Sequence, residues 1–350
     1  MVKPFCRDQL LSLLFSICLS LFIPFSAHAN KNDHADIIAG IVKSIEKHEG
    51  YPGVSIAVFY KDELHYVNQV GLADISEEKA PDRNTIFRMY SLTKGITNIL
   101  AAILVDKGAL DLDAPISKYV SKLPEKVKSI TARQLLSNQG GIRHYKSNQE
   151  WLELSQNHCK SPKDAFDQFL NDPLIAEPGT KISYSSFGYV LLSQVLENAG
   201  GMPFKQLMES SVWKQSNVKR IELDNSGKAT FKNTSIFYEP LDDRYVEAPF
   251  VDNSCKFGAG AINATPIAIA KVFSDFYHAK LTSYKTLKQF VPAISQWRHS
   301  ISFGGEGLGG RSALVAYPAD KLIVVIVANA RGGELKSYAD RIAKTVYGEN

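Results

Sequence analysis

The sequence predicts an α/β (α+β) protein with an antiparallel sheet, N- and C-terminal helices flanking that sheet, and an inserted all-helical domain. Two observations predict this class: β-rich apolar runs occur near both ends of the chain, and helical spacing of apolar residues dominates between them. Strands from both ends can bury their apolar faces in one shared sheet. We therefore expect a sheet domain of residues 30–90 plus 255–350, an inserted mainly helical domain of residues 91–254, and an active site between them.

The composition is that of an ordinary globular protein. The chain has 350 residues, of which 45% are apolar and 22% are charged, and its formal net charge is +4. This length provides enough core to fold without disulfide bonds. No run of lysines and arginines is long enough to indicate a nucleic-acid surface, so we expect no nucleic-acid partner.

Residues 1–29 have the pattern of a signal peptide. Lys3 and Arg7 precede an apolar run from Leu10 to Phe25, and Ala27-His28-Ala29 is a small-x-small cleavage site. We expect export, to a periplasm or out of the cell, and no stable membrane span after cleavage. An uncleaved membrane helix is the alternative, and a proline near the end of the apolar run argues against it.

The cysteines bear on both redox state and metal binding. Removal of the signal peptide leaves only Cys159 and Cys255, in a compartment that permits disulfides. The two could pair, although sequence alone does not decide this. Neither has neighbouring cysteines or histidines at zinc-site spacing, and we expect no metal and no cofactor.

The mature chain is predicted to begin with a helix and a β-hairpin. His34 to His48 carries apolar residues at helical spacing, and Gly50 to Gly53 ends that helix. Val54 to Tyr60 and Leu64 to Val70 are β-rich runs joined by a polar turn. Thr85 to Arg88 is a short extended piece.

The middle of the chain is predicted to be mostly helical. Apolar residues recur from Thr93 to Lys107 as in a buried helix, and Gly108 closes it. Further helices are expected from Thr131, at Pro162–Leu170 and at Ser186–Ala199. Residues 225–254 are polar and weakly periodic, which indicates loops and short strands at a rim.

The last part of the chain returns to strands. Thr265 to His278 is predicted as a helix with Thr265 as its N-cap and proline at its first position. Gly310 to Tyr317 and Leu322 to Asn329 are two apolar strands, and Leu335 to Tyr347 is a closing helix.

The stretch from Phe87 to Gly95 contains the first candidate motif. Ser91 stands near a helix start and Lys94 follows three residues later, so their side chains share one face, about 5–6 Å apart between Cβ atoms. An amine beside a hydroxyl can take its proton and make it a nucleophile. Ser-x-x-Lys is nevertheless common by chance, and Ser91 could be only an N-cap.

Two other segments could complete a site. Tyr184 opens the helix that follows, and its phenol could transfer protons if Lys94 lowers its pKa; otherwise it is a packed tyrosine with an exposed hydroxyl. Phe303 to Gly310 is glycine-rich and formally matches a dinucleotide motif, but a strand rather than a helix follows, so we reject that function. A glycine-lined strand edge can pair with substrate backbone, or it can be a loose turn.

Other catalytic motifs are missing from the sequence. It has no Gly-x-Ser-x-Gly elbow, no Walker loop and no His-Glu-x-x-His. His144 and Tyr145 could line a pocket, although we expect a rim histidine without a catalytic role.

The order of these features resembles the serine β-lactamase and penicillin-binding-protein superfamily, nearest its class C β-lactamase, esterase and D-aminopeptidase branch. The resemblance covers nearly the whole mature chain. It is carried by Tyr90–Lys94 with Leu110–Pro115, by Leu135–Ile142, by Pro178-Gly179 with Tyr184–Tyr189, and by Gly304–Pro318.

The resemblance implies a role for each matching residue. Ser91 is then the acyl-forming nucleophile, Lys94 its base or proton relay, and Tyr184 shares the proton transfers. The backbone N–H groups of Ser91 and Glu306 form the oxyanion hole. The implied substrate-binding residues are Ser186, Phe303, Gly304, Gly305, Asn138 and Arg311.

Two departures from the family pattern affect the predicted substrate. The second motif usually ends in asparagine and here ends in Ser186. The third usually begins with lysine or histidine and here begins with Phe303. Loss of that cation weakens the case for β-lactam turnover and favours a neutral or ester-like substrate, or a cation supplied elsewhere, with Arg311 and Arg298 as candidates.

We therefore predict an exported serine hydrolase that forms an acyl-enzyme with an ester or amide, which could be a peptidoglycan-type peptide. The alternative is a catalytically degenerate relative that binds a cell-wall peptide or protein without turnover. An efficient β-lactamase ranks below both. The expected partner is a small-molecule or peptide substrate, and the oligomeric state stays open.

Overall fold

A computed structural model describes residues 31–224 and 232–347. The predicted signal peptide and part of the predicted rim, residues 225–231, lie outside the described residues. The helices are α1 Lys31–Glu49, α2 Thr93–Asp106, α3 Glu125–Lys128, α4 Ala132–Leu136, α5 Asn148–Leu154, α6 Ser186–Gly200, α7 Phe204–Met208, α8 Pro266–Tyr277, α9 Tyr284–Phe290 and α10 Leu335–Val346. The strands are β1 Gly53–Tyr60, β2 Glu63–Gly71, β3 Phe87–Arg88, β4 Ile221–Leu223, β5 Tyr238–Leu241, β6 Arg244–Glu247, β7 Ile262–Ala264, β8 Ile301–Gly307, β9 Gly310–Tyr317 and β10 Leu322–Ala328.

The main sheet has five antiparallel strands in the order β2-β1-β10-β9-β8. The first and last parts of the chain meet where β1 pairs with β10, with Val54 opposite Ala328 and Tyr60 opposite Leu322. This confirms the predicted sheet built from both ends. The glycine-rich β8 is an edge strand, so one side of its backbone is left unpaired by the sheet.

The two faces of the sheet carry separate parts of the core. Side chains alternate along a strand, and in β10 Val324 and Ile326 pack among residues of α1 and α10, whereas Val325 and Val327 pack among those of α2 and α8. Both faces are covered, which explains why β10 reads as an unbroken apolar run. The terminal helices thus flank one face, as predicted.

The buried helix α2 connects the sheet to the helical region. Its apolar residues leave no solvent-facing stripe, and it packs against α6, α8 and α9. Gly108, in a left-handed conformation, follows its end. Because the turn before α2 also lies against β8, this helix fixes that turn next to the sheet edge.

Shorter elements depart from the sequence-based predictions. The segment predicted as a helix at Pro162–Leu170 forms a 3₁₀ helix, Pro162–Gln168. The helices α5 and α9 were not predicted, and the small sheet β3-β7-β4 joins segments far apart in sequence. The rim segment contains the β5–β6 hairpin, in keeping with short strands.

Cys159 and Cys255 form a disulfide across a sequence separation of 96. It attaches the segment after α5 to a 3₁₀ helix, Ser254–Ala259. The domain division at residues 91 and 254 stays a prediction. Within the described ranges, no helix combines the length and apolar character needed to cross a bilayer.

Candidate active site

A cavity of about 970 Å³ opens along the edge strand β8. One wall is that strand, and another is the turn before α2. Further lining residues come from the segment before α5 and α5 itself, from the segment before α6, from the 3₁₀ helix at 254–259, from β9 and from residues 331–336. Ser91, Tyr184 and Ser186 all line it. Three motifs that are far apart in sequence therefore share one cavity.

Ser91 lies in a 3₁₀ turn, Tyr90–Leu92, that continues into α2. Tyr90 has a φ of 45°, a left-handed value that is unfavourable for a residue with a side chain. Its ring packs against Gly307 and its hydroxyl donates to the Leu308 carbonyl, which holds the conformation in place. Such strain is often stored at functional sites. Ser91 has no side-chain capping bond here, so the N-cap alternative does not describe it.

Lys94 is buried beneath Ser91, one helical turn along the same face. Its Nζ lies 3.0 Å from Ser91 Oγ, 3.2 Å from Ser186 Oγ and 2.6 Å from the Ala259 carbonyl oxygen. Burial lowers the pKa of Lys94, and the Tyr184 phenol opposes that shift. A lysine with a lowered pKa can act as a base at a lower pH than an exposed one.

Tyr184 reaches Ser91 from the other side. Its hydroxyl lies 2.6 Å from Ser91 Oγ, and the Lys94 Nζ is 4.9 Å from its ring centroid. The side chain as a whole is 47% exposed, with its hydroxyl end inside the site. Burial of that end raises the phenol pKa, but the Lys94 charge and the hydrogen bonds around it outweigh this, so the pKa of Tyr184 lies below its ordinary value. The shift has the direction expected from the sequence.

The turn that carries Tyr184 is fixed by its neighbours. Ser185 is the N-cap of α6, with its Oγ accepting from the Gly188 N–H at 2.8 Å. Asn138 has a φ of 57°, and its side-chain oxygen accepts from the Ser185 N–H at 3.1 Å. The sequence-based prediction gave Asn138 a substrate contact. The structure instead places its amide against this turn and not in the cavity lining, so it positions Tyr184.

Ser186 occupies the place of the expected asparagine. Its hydroxyl is buried and accepts from Lys94 Nζ at 3.2 Å, and its proximity acts to lower the pKa values of the Tyr145 and Tyr184 phenols. A shorter side chain therefore keeps a hydrogen bond to the lysine. Its reach toward substrate is smaller than that of an amide, and its predicted contact with substrate stays a prediction.

His144 belongs to this cluster more closely than expected from sequence. Its Nδ1 accepts from the Ser186 N–H at 3.2 Å, and its ring meets that of Tyr184 edge-on at 5.1 Å. Burial, together with the nearby Lys94 charge, lowers the pKa of His144 to about 4. A neutral imidazole that accepts at Nδ1 carries its proton on Nε2. Only the adjacency of His144 and Tyr145 after Gly140-Gly141 indicated this placement in the sequence.

The edge strand β8 passes very close to the Ser91 turn. A Cβ on Gly305 would lie 2.2 Å from the Met89 carbonyl oxygen and 2.6 Å from the Ser91 nitrogen, so only glycine fits there. Gly304 and Glu306, the neighbours of Gly305, line the cavity. The strand thus brings the Glu306 backbone near that of Ser91, and the oxyanion hole formed by their two N–H groups stays a prediction.

Phe303 lines the cavity and also packs against the core. Its ring lies within 3.1 Å of the position of a Cβ on Gly95 and is 5.5 Å from the ring of Phe273. It separates the main cavity from a second, mostly apolar cavity of about 460 Å³. Phe303 thus supplies apolar surface where the family usually has a cation.

The two arginines proposed to replace that cation differ in position. Arg311 lines the cavity and forms an ion pair with Glu306 at 2.7 Å. Arg298 stacks on the ring of Trp297 at 4.1 Å and does not line the cavity. A lysine that the sequence-based reasoning missed, Lys256, does line it and is almost completely buried.

The described part of the chain contains no cluster of histidine, cysteine, aspartate and glutamate side chains arranged to hold a metal ion.

Comparison with known proteins agrees with this geometry. The β-lactamase family model matches residues 38–347. Human mitochondrial serine beta-lactamase-like protein LACTB is 25% identical over 291 residues, covering 64% of this chain and 53% of that protein, so the chain spans about half its length. Teichoic acid D-alanine hydrolase from Staphylococcus aureus is 22% identical over 291 residues, covering 79% of this chain and 70% of that protein.

Solved structures share the fold. D-amino acid amidase from Ochrobactrum anthropi SV3 superimposes with a TM-score of 0.77 at 20% identity, over 90% of this chain and 99% of that one. The family model covers most of the chain and includes the serine, the lysine and the tyrosine. This protein therefore belongs to the β-lactamase family.

Proposed function

We propose that the protein is an exported serine hydrolase that acts through an acyl-enzyme on an ester or amide, with a peptidoglycan-type peptide as one candidate substrate. One observation carries the proposal: Ser91 Oγ lies 3.0 Å from Lys94 Nζ and 2.6 Å from the Tyr184 hydroxyl. A serine between two groups with lowered pKa values is a typical activated nucleophile.

The reaction has two steps. Ser91 Oγ attacks the carbonyl carbon of the substrate while its proton passes to the Lys94–Tyr184 pair. The pair then delivers a proton to the departing alcohol or amine, and an ester of Ser91 remains. Water attacks that ester and gives a proton to the same pair, which returns it to Ser91 Oγ as the C–Oγ bond breaks and the acid leaves. Backbone N–H groups of Ser91 and Glu306 are the proposed donors to the developing oxyanion.

The surroundings of the serine favour an ester or a simple amide over a β-lactam. Phe303 packs into the core and brings no charge to the place where the family usually has a cation. The names of the relatives include a D-alanine hydrolase and a D-amino acid amidase, which supports acyl transfer from small D-amino acid derivatives as a chemistry available to this fold.

Two features support export. The sequence of residues 1–29 has the pattern of a signal peptide, and Cys159 and Cys255 form a disulfide. Disulfides persist mainly in oxidising compartments outside the cytosol.

The alternative is a protein that binds a cell-wall peptide or protein without turnover. It would account for Ser186 and Phe303, which stand where the family usually has an asparagine and a cationic residue. Ser186 retains a hydrogen bond to Lys94, so the serine–lysine–tyrosine cluster is complete without the usual amide. This favours the hydrolase.

Labelling with a fluorophosphonate probe tests the proposal. Wild-type protein should form a covalent adduct that is lost in Ser91→Ala and strongly slowed in Lys94→Met. Ser137→Ala is a matched control, because this serine lies outside the cavity lining. A stable wild-type protein without a Ser91-dependent adduct contradicts the hydrolase, and ligand binding that survives Ser91→Ala would then favour the alternative. Rapid nitrocefin turnover would contradict the preference for esters and amides.

A further inference from the structure

Lys256 is a second buried lysine in the wall of the active-site cavity. It lies in the 3₁₀ helix Ser254–Ala259, is only 2% exposed and lines the cavity together with Tyr90 and Trp151. The acyl-transfer mechanism proposed above does not use it. A lysine is rarely so buried without a partner or a function.

The contacts of Lys256 leave its ammonium only partly satisfied. Its Nζ donates to the Asn253 side-chain oxygen at 2.7 Å and lies 3.6 Å from the centroid of the Trp151 ring. These are its polar partners among the described residues. An ammonium has three N–H donors, so one donor remains after the amide and the aromatic face have taken theirs.

Two carboxylates, Asp224 and Asp252, act on the charge of Lys256, and each accepts a hydrogen bond from a backbone N–H group. Asp252 accepts from the Ser254 N–H at 2.8 Å and lies 2.9 Å from His158 Nδ1. Burial lowers the pKa of Lys256 well below its ordinary value, the charge of Arg88 adds to this, and Asp224 and Asp252 oppose it. An anion that enters the cavity would raise the pKa of Lys256, as those carboxylates do, and would keep its ammonium charged.

Two contacts connect the surroundings of Lys256 to those of the reacting serine, and both residues line the same cavity. The ring of Trp151 is 6.5 Å from that of Tyr90, the residue before Ser91. On the other side, Ala259, in the same 3₁₀ helix as Lys256, accepts a hydrogen bond from Lys94. A substrate acylating Ser91 can therefore extend within the same cavity toward Lys256.

We propose that Lys256 is a substrate-binding residue that recognises a carboxylate on the ester or amide hydrolysed at Ser91. This rests on the proposed function. The carboxylate enters along the Trp151 side of the cavity, accepts a charge-assisted hydrogen bond from Nζ and positions the scissile carbonyl at the serine. The cation missing at Phe303 is thus supplied from a different element.

Matched ester pairs test this proposal. One pair carries the charge on the acyl group, mono-4-nitrophenyl glutarate against its methyl ester; the other carries it on the leaving group, 4-acetoxybenzoate against its methyl ester. Wild-type protein should prefer the anionic member of at least one pair, and Lys256→Met should reduce that kcat/KM ratio by about 10- to 100-fold. Lys321→Met is the control, because this half-buried lysine donates to the Tyr277 carbonyl and does not line the cavity.

The possible results separate the two proposals. Carboxylate recognition is wrong if Lys256→Met lowers kcat/KM equally for the anionic and neutral esters of each pair, or if wild type does not prefer the anionic ester. Hydrolysis at Ser91 stands in both cases. If wild type shows no Ser91-dependent turnover of any ester and no adduct, the proposed function itself fails. If Lys256→Met does not fold, a protection experiment on wild type replaces it, in which a ligand competes with the fluorophosphonate for the Ser91 site. Glutarate should protect Ser91 from labelling at a lower concentration than glutaramide. Equal protection by the two compounds overturns the proposal.

Discussion

At the scale of single residues, Lys94 and Tyr184 influence each other's pKa beside Ser91. Lys94 is buried and Tyr184 lies against it, so the charge on one changes the pKa of the other. The useful state is one in which the pair can accept the serine proton. Because both pKa values lie below their ordinary values, activity should rise with pH at a lower pH than free lysine or tyrosine would allow.

Removal of the Tyr184 hydroxyl tests its share in proton transfer. Tyr184→Phe keeps the ring beside His144 but loses the hydroxyl bound to Ser91. We expect kcat to fall by about 10²–10⁴-fold, the usual contribution of a positioned acid–base group. Tyr189→Phe is a matched control, since its ring also lies near Lys94 but its hydroxyl bonds to Asn98. Equal activity of Tyr184→Phe and wild type would remove Tyr184 from the mechanism.

The lowered pKa of His144 predicts that the free energy of unfolding decreases in acid. The pKa of His144 is about 4 in the folded protein and 6.5 when unperturbed. Between these values the unfolded chain binds one more proton than the folded one, so stability falls as pH decreases from 6.5 toward 4. His144→Gln retains an acceptor for the Ser186 N–H without this titration. Urea unfolding at pH 7 and 5 should show a smaller loss for the variant; equal losses would contradict the prediction.

At the scale of elements, the close contact between β8 and the Ser91 turn determines the shape of the site. The strand can lie against the Ser91 backbone only because position 305 has no side chain. The Ser91 turn also contains Tyr90, whose backbone is strained, and this turn packs against both α2 and β8. Both features are local in effect but depend on elements more than 200 residues apart.

A methyl group on Gly305 should separate these elements. Gly305→Ala would place its Cβ 2.2 Å from the Met89 carbonyl oxygen, whereas on Gly304 the nearest atom is 3.6 Å away, an ordinary contact. We expect Gly305→Ala to lose about 1–3 kcal/mol of stability by overpacking, and to slow fluorophosphonate labelling of Ser91. Gly304→Ala should unfold near the wild-type midpoint. A similar stability for both variants in urea unfolding would show that β8 can move away at little cost.

The sequence predicted those elements whose signals are local. Thr265 caps α8 as expected, a helix starts at Thr131 as expected, and the apolar period of residues 93–107 located α2. It did not reveal the left-handed Tyr90, nor that Lys256 enters the cavity, because both depend on contacts with distant segments. Ser91, Lys94 and Tyr184 were found through the resemblance of ordered motifs, whereas spacing alone left each of them ambiguous.

At the scale of the whole molecule, the sheet and the helical region meet at the cavity. The sheet is closed by the pairing of β1 with β10, and its two faces support separate core clusters. The wall opposite β8 includes the 3₁₀ helix at 254–259, which supplies the Ala259 carbonyl and Lys256. The Cys159–Cys255 disulfide attaches this wall to the segment after α5.

This disulfide should contribute to both stability and site geometry. It closes a segment of 96 residues, and loss of a crosslink of that size typically costs about 2–5 kcal/mol. Cys159→Ser/Cys255→Ser should therefore unfold at lower urea concentration. Its kcat should fall and its KM should rise, because Lys94 and the proposed carboxylate site both contact or lie on the attached 3₁₀ helix. Reductant should shift wild type toward the double variant and leave the variant unchanged. If reduced and oxidised wild type unfold at the same urea concentration, the disulfide stabilises neither the fold nor the 3₁₀ helix in the cavity wall. Its presence would then reflect only the oxidising compartment to which the chain is proposed to be exported.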